Sequence, residues 1–253
     1  MLAIERRNQI LAKLQQENKV VVSDLSQKYN VTEETIRRDL EKLEQEGFAK
    51  KTYGGAVLNE SLYAEVPYNV RKLTNTEAKK KIADIAERLV QDGDHIMLDA
   101  SSTALFIVKR LKSKKNLTII TNSIEIIIEL ADKPGFTVLS TGGTLKEGAL
   151  ALTGYQAERM INSFHVDKAF ISCKGIDQEH GLTDSSEMDV QIKKAILRAS
   201  KQKILVIDQS KFDKISFANI VGLSEIDMIV TDSKPNESWR QAFEQADVEV
   251  KYE

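Results

Sequence analysis

Val31-Thr32-Glu33-Glu34-Thr35-Ile36-Arg37-Arg38-Asp39-Leu40-Glu41-Lys42-Leu43-Glu44-Gln45-Glu46-Gly47 decides how the first part of the chain folds. Thr32 is a helix N-cap residue, and Glu33 and Glu34 put acids in the first turn, where the helix dipole favours them. Ile36, Leu40 and Leu43 recur at helical spacing, and Gly47 closes the helix. Upstream, Ser23 reads as the N-cap of a shorter helix, Asp24-Leu25-Ser26-Gln27-Lys28-Tyr29, broken by Asn30-Val31. Before it, Ile10, Leu11 and Leu14 give the apolar stripe of another helix. Downstream, Phe48-Ala49-Lys50-Lys51-Thr52-Tyr53, the turn Gly54-Gly55 and Ala56-Val57-Leu58 spell a small hairpin. The pattern is a helix-turn-helix followed by a wing.

A helix of this kind can enter the major groove, presenting its N-terminal residues to base edges and its cations to phosphate or guanine. With Ile36, Leu40 and Leu43 facing a core, another face carries Thr35, Arg38 and Lys42, flanked by Glu34 and Arg37. The candidate DNA-binding residues are therefore Ser23, Thr32, Glu34, Thr35, Arg37, Arg38 and Lys42, with Lys50, Lys51 and Tyr53 on the wing. A net charge of −2 argues only weakly against nucleic acid, because clustering matters more than the sum. The cations do cluster, at Arg37-Arg38 and Lys50-Lys51. Taken alone, the helices fit equally well a protein-interaction module whose arginines merely bond Glu33, Glu34 or Asp39. The basic wing favours DNA.

Residues 59–73 lack periodicity, contain Pro67 and read as a linker. From Thr76 the pattern changes to a helix carrying Ile82, Ile85, Ala86 and Leu89. Apolar runs at 95–98, 117–121, 136–140, 168–172, 204–207 and 228–231, with a last one at 248–250, then alternate with helical stretches near 103–112, 124–131, 155–162, 187–200 and 237–246. Such alternation specifies a mostly parallel sheet covered by helices. The expected fold is α/β: a winged helix-turn-helix domain at 1–58, a linker, and a larger α/β domain at 74–253.

In a parallel sheet the loops after the strands converge on one crevice, where ligands bind. The first such loop holds Asp99, Ser101, Ser102 and Thr103, small hydroxylated residues that can offer a phosphate hydroxyls, backbone N–H groups and a helix dipole, or simply cap the helix. Thr121, Asn122 and Ser123 form the second, and Gly142 and Gly143 the third, with Lys146 nearby. The fourth runs from Lys174-Gly175 to Thr183-Asp184, long enough for a lid. Asp208-Gln209-Ser210-Lys211 completes the set, with Lys211 suited to a phosphate or carbonyl.

The chain of 253 residues, 42% hydrophobic and 29% charged, has an ordinary globular balance. Its longest stretch free of charge, 134–145, is too short to span a membrane. Charge at Glu5-Arg6-Arg7 stands where a secretory signal needs an apolar run, so the cytoplasm is the expected compartment. The lone Cys173 cannot form an internal disulfide and reads as a small buried side chain. His95, His165 and His180 share no ligand spacing, so neither a metal nor a cofactor is expected. Trp239 and Phe243, one helical turn apart, read as the packing face of a C-terminal helix.

Glu5-Arg6-Arg7 with Ile10-Leu11, Val21-Val22-Ser23-Asp24-Leu25, Thr35-Ile36-Arg37-Arg38-Asp39-Leu40, Leu43-Glu44-Gln45-Glu46-Gly47 and Tyr53-Gly54-Gly55-Ala56 resemble the DeoR family of bacterial transcription regulators. The resemblance continues through the second domain. It implies a winged helix-turn-helix joined to a sugar-phosphate sensor related in fold to ribose-5-phosphate isomerase, repressing a sugar-catabolism operon. It also implies an effector held by the loop at 99–103, Thr121-Asn122, Gly142-Gly143, Gly181-Leu182-Thr183 with Glu187, and the loop at 208–211. The expected partners are double-stranded operator DNA, a phosphorylated sugar and further copies of the chain, as a dimer or tetramer, with no membrane. The competing reading is a sugar-phosphate isomerase or deaminase in which Asp99, Asp184, Glu187 or Asp208 moves a proton. An enzyme has no need of a basic wing, which weighs against it.

Overall fold

The computed structural model describes residues 1–59 and 66–253, which divide into two compact units, Met1–Thr76 and Glu77–Glu253. The first begins with α1 (Ala3–Glu17), β1 (Lys19–Val21), α2 (Val22–Tyr29) and α3 (Glu33–Gln45). The wing strands β2 (Ala49–Thr52) and β3 (Gly55–Leu58) follow, and β1 joins them in an antiparallel sheet of order β1-β3-β2. Ile10, Leu11, Leu14, Leu25, Ile36, Leu40 and Leu43 are buried together, so the stripes read from the sequence do form one core. Gly55 is required by that packing: a Cβ there would lie 2.1 Å from the Val20 carbonyl oxygen.

Ser23 is not an N-cap. The cap is Val21, the extended last residue of β1, because the strand runs straight into α2 and leaves Ser23 inside its first turn. There the hydroxyl bonds the Asp24 carboxylate at 3.2 Å. Of the stretch expected as a linker, 60–65 lies outside the described residues. Its end is helical rather than aperiodic: α4 (Tyr68–Arg71) buries Tyr68 and Val70, and Val70 belongs to the core of the N-terminal unit. One turn of helix is too short to leave a periodic signal.

The second unit starts with α5 (Thr76–Leu89), β4 (His95–Leu98), α6 (Ser102–Leu111), β5 (Thr118–Thr121), α7 (Ile124–Leu130) and β6 (Thr137–Ser140). It continues with β7 (Thr144–Lys146), β8 (Ala151–Thr153), α8 (Tyr155–Ile161), β9 (Val166–Ile171), β10 (Gly175–Asp177), β11 (Gly181–Asp184) and α9 (Glu187–Arg198). It ends with β12 (Ser200–Val206), β13 (Ala218–Val221), β14 (Met228–Val230), α10 (Glu237–Gln245) and β15 (Glu249–Lys251). Seven strands pair in the order β15-β14-β12-β9-β4-β5-β6, every pair parallel. Met97, Ala169, Ile171, Leu205 and Ile229 share one core with residues of α8, α9 and α10, including Trp239 and Phe243. The alternate residues Ile96, Leu98, Phe170, Ile204, Val206 and Val230 are equally buried on the other face. Burial on both faces accounts for the continuous apolar runs.

Two features of the second unit depart from the sequence reading. The fourth loop is a hairpin, β10 against β11, extended by β13 into a separate antiparallel sheet. The residues after the glycine pair form a second hairpin, β7 against β8. These strands span three or four residues, and all four residues of β11 are buried, so no alternation marks them. No helix among the described residues is long and apolar enough to cross a membrane.

Candidate functional site

In the N-terminal unit the side chains of α3 sort by what they touch. Thr32 caps the helix, its hydroxyl accepting from Thr35 N–H and lying 2.9 Å from the Thr35 hydroxyl. Arg37 pairs with Glu33 at 2.6 Å and Arg38 with Glu34 at 3.3 Å, both one turn apart and open to solvent. Lys42 and Lys50 are exposed and form no ion pair among the described residues, and Tyr53 stands fully in solvent at the wing tip. Asp39 faces inward: its carboxylate, 5% exposed, takes Arg6 Nε at 2.6 Å and lies 3.7 Å from Arg7. The acid next to the arginine pair therefore docks α3 on α1. Lys51 bonds Glu41 at 2.8 Å through its ammonium, and Glu44 at 2.7 Å through its backbone N–H.

In the second unit the expected ligand loops do line up along the carboxyl edge of the sheet, after β12, β9, β4, β5 and β6. Ser101 caps α6, accepting from Ala104 N–H at 3.1 Å, while Ser102 and Thr103 form its buried first turn. Asp99 is 1% exposed, and its carboxylate accepts N–H groups from Ser101 and Ser172, tying the first loop to the end of β9. Thr121 donates to the Leu98 carbonyl at 2.7 Å. Asn122 is buried and donates through Nδ2 to the Leu152 carbonyl, but its Oδ1 accepts no hydrogen bond among the described residues. A buried amide oxygen without a donor is costly unless a ligand or water supplies one.

Gly143 has φ +106°, and a Cβ there would lie 2.5 Å from the Thr153 carbonyl oxygen, so it permits the β7–β8 hairpin to close. Gly142, at φ +62°, has open space in front of it. Gly175 packs on the Lys214 backbone, and Thr183, fully buried, donates to the Gly175 carbonyl and accepts from Ser216 N–H. Glu187 is exposed in the first turn of α9.

The residue that sequence reading missed is Lys193. Its ammonium, on a side chain 12% exposed, makes a close ion pair with Asp184 and lies 3.7 Å from Asp99. Burial disfavours the charge on Lys193, but Asp184 and Asp99 outweigh it, and the pKa rises. Burial likewise acts to raise the Asp184 pKa, yet Lys193 and then Lys174 hold it below the ordinary carboxylate range. Asp208 is depressed in the same way, with Lys211, Ser210 and Lys79 outweighing desolvation. One turn before Lys193, Asp189 bonds Lys146 of β7 at 2.6 Å. One face of α9 thus gathers three of the crevice loops. The available signal was a lysine on the apolar stripe of an amphipathic helix, three residues after Val190 and three before Ile196. Cys173 lies beneath this network, where burial pushes its thiol up to about 12, too high for a nucleophile.

The opposite edge of the sheet has a solvent-open hollow lined by Asp94, Asp167, Lys168, Lys201, Gln202 and Asp227. Lys168 pairs with Asp94 there, and none of the residues expected from the sequence reaches it.

Comparison with known proteins covers both units. The family model described as the DeoR C terminal sensor domain matches residues 74–233, and the DeoR-like helix-turn-helix domain matches residues 6–62. An uncharacterized HTH-type transcriptional regulator of Bacillus subtilis, YulB, is 41% identical over 250 residues, 99% of this chain and 96% of its own. The HTH-type transcriptional regulator GolR of Listeria innocua is 38% identical, over 99% of each chain. The HTH-type transcriptional repressor GlcR of Bacillus subtilis is 36% identical over 97% of this chain and 95% of its own. Among solved structures, ribose 5-phosphate isomerase A of Methanocaldococcus jannaschii is similar over 55% of each chain, at 19% identity and a TM-score of 0.40, too distant a likeness to bear on activity.

Proposed function

The chain belongs to the DeoR family of transcription regulators, and from that premise we propose that it represses a sugar-catabolism operon by binding operator DNA as a dimer or tetramer in the cytoplasm, its affinity set by a phosphorylated sugar in the crevice of the second unit. The observation that carries the DNA half is α3 itself, docked on α1 through Asp39 while Arg37, Arg38 and Lys42 are exposed and Thr35 is half-buried. Three of the relatives named above are called regulators or repressors of transcription.

The effector half is supported by charge and by one orphaned acceptor. Lys174, Lys193 and Lys211 accompany Asp99, Asp184 and Asp208 at the carboxyl edge, beside the N-terminus of α6. A dianion entering there needs neutralising charge and hydrogen-bond donors, which Lys211 and the turn at Ser102 and Thr103 can give. Asn122 Oδ1 is suited to receive a sugar hydroxyl. We read the crevice as a receptor, since Asp99 already accepts from the Ser101 and Ser172 N–H groups and Asp184 is held by Lys193. A general base works best with a pKa near the operating pH, and Asp184 and Asp208 are held below the ordinary range by their lysines.

The test pairs calorimetry with operator binding across a panel of sugar phosphates. Lys211→Ala should weaken the responding ligand by about 10-fold or more, as for a charge-assisted hydrogen bond, and leave operator affinity without ligand unchanged. Unchanged ligand affinity would remove Lys211 from the site. Turnover of ribose 5-phosphate or glucosamine 6-phosphate would sink the receptor reading altogether.

A further inference from the structure

The recognition helix α3 carries more charge than a reading surface needs, and its acids divide into two kinds. Glu33 and Glu34 pair with arginines of their own helix, so they join nothing to anything else. Asp39, Glu41 and Glu44 reach other elements: Asp39 to α1, Glu41 and Glu44 to the wing. Both wing contacts fall on one residue, Lys51.

The geometry has a reason. β2 is the edge of the sheet β1-β3-β2, and an edge strand leaves N–H groups without a strand partner. The Lys51 N–H points outward and is satisfied by Glu44 Oε1 at 2.7 Å, while the same residue's ammonium meets Glu41 Oε1 at 2.8 Å. Glu41 and Glu44 are three residues apart, hence neighbours on one face of α3. The hydrogen bond and the charge of Lys51 hold the Glu41 carboxyl below its ordinary range, and Glu41 in turn raises the Lys51 pKa. Lys50, one residue earlier and so on the other side of the strand, meets no acid among the described residues.

We propose, resting on the DNA-binding reading above, that Lys51 is a positioning residue which straps the wing to the recognition helix through Glu41 and Glu44, and that Lys50 is the wing's phosphate contact. Sequence alone places the two lysines in one basic patch with one role. Their partners separate them. Arg37 and Arg38 can leave acids of their own helix without shifting any element, whereas a Lys51 ammonium that left Glu41 for phosphate would untie the wing from α3. What it fixes is the height of the wing above α3, and hence whether Lys50 can reach the backbone.

A charge swap tests this, read as binding of the full chain to a labelled random-sequence duplex across a salt series. Lys51→Glu and Lys50→Glu should each weaken binding by about 10-fold or more at low salt. Adding Glu41→Lys to Lys51→Glu rebuilds the strap with its charges reversed. That double variant should return to within about 2-fold of the parent, with the parent's salt slope. Adding Glu41→Lys to Lys50→Glu restores the same net charge but no contact, and should remain about 10-fold weak. Equal rescue of both would mean that only net charge counts, and the proposal falls. Rescue of neither, or of the Lys50 variant alone, would also overturn it, leaving Lys51 a phosphate contact. A parent chain that bound no duplex even at low salt would instead sink the DNA-binding reading, and the strap with it. Glu41, Lys50 and Lys51 are all exposed, and thermal unfolding matching the parent verifies that each variant folds before its binding is compared.

Discussion

Arg37 and Arg38 lie against Glu33 and Glu34 with about half or more of each side chain in solvent, whereas Lys193, 12% exposed, lies against Asp184 and Asp99, which are almost fully buried. The chemistry of the pairs is the same and their consequences are opposite. An exposed pair one turn apart on a helix is worth a few tenths of a kcal/mol and is screened by salt. Such arginines can leave their partners for DNA at small cost. A buried pair has already lost its hydration, so removing one partner strands a charge in a poor medium. The arginines of α3 keep their charges exchangeable; the buried pairs, Arg6 with Asp39 in the N-terminal unit and Lys193 with Asp184 in the C-terminal one, set geometry.

The largest test of that contrast is Lys193→Met. It leaves Asp184 and Asp99 without their shared cation and should destabilise the C-terminal unit by about 3–5 kcal/mol in urea unfolding. Neutralising both sides in Lys193→Met/Asp184→Asn should recover part of the loss. A loss below about 1 kcal/mol would mean that the network does not fix the crevice.

Next in size is operator binding. Arg37→Ala or Arg38→Ala should each cost about 1–3 kcal/mol of operator affinity by titration, with folding stability within about 0.5 kcal/mol of the parent. Equal affinity in the double variant would remove the pair from the reading surface.

Acid should separate the units as well. The Asp184 and Asp208 pKa values are lower in the folded state, so their contribution is present above the unfolded value and is lost as pH falls through the folded one. Protection of β4 and β9 against hydrogen exchange, taken relative to the intrinsic rate at each pH, should therefore fall below about pH 4, the unfolded aspartate range. Protection that held steady to lower pH would contradict the ion-pair account.

The smallest effect belongs to Glu33→Gln, which removes one exposed pair of α3. Stability should shift by no more than about 0.5 kcal/mol, and less at high salt. A larger, salt-independent loss would erase the distinction between the two kinds of pair.

Much of the architecture is legible in the residue order because it rests on local periodicity. Ile36, Leu40 and Leu43 mark the recognition helix, and the continuous apolar runs mark the parallel strands, since a strand buried on both faces has no polar side to display. Thr32 reads correctly as a cap because its N–H partner is three residues away. Ser23 misleads because whether it caps depends on where β1 ends, and β1 exists only through its pairing with β3. The short strands β7, β8, β10 and β11 escape for the same reason, being held by partners rather than by pattern.

By itself, then, the sequence determined the two-part order of the chain, the helix-turn-helix with its wing, the alternating parallel sheet and the five loops at its carboxyl edge. Only the tertiary structure decided what each charge does there. Arg6 meets Asp39 across 33 residues, and Asp99 takes the Ser172 N–H across 73. Lys193 stands between two acids that no spacing rule connects, and Lys50 and Lys51, adjacent in the chain, face different partners. Periodicity records which face of an element is buried. It does not record which buried charge lies opposite, because that depends on how distant segments pack, and electrostatic energy depends on the distance and on the water excluded between the charges.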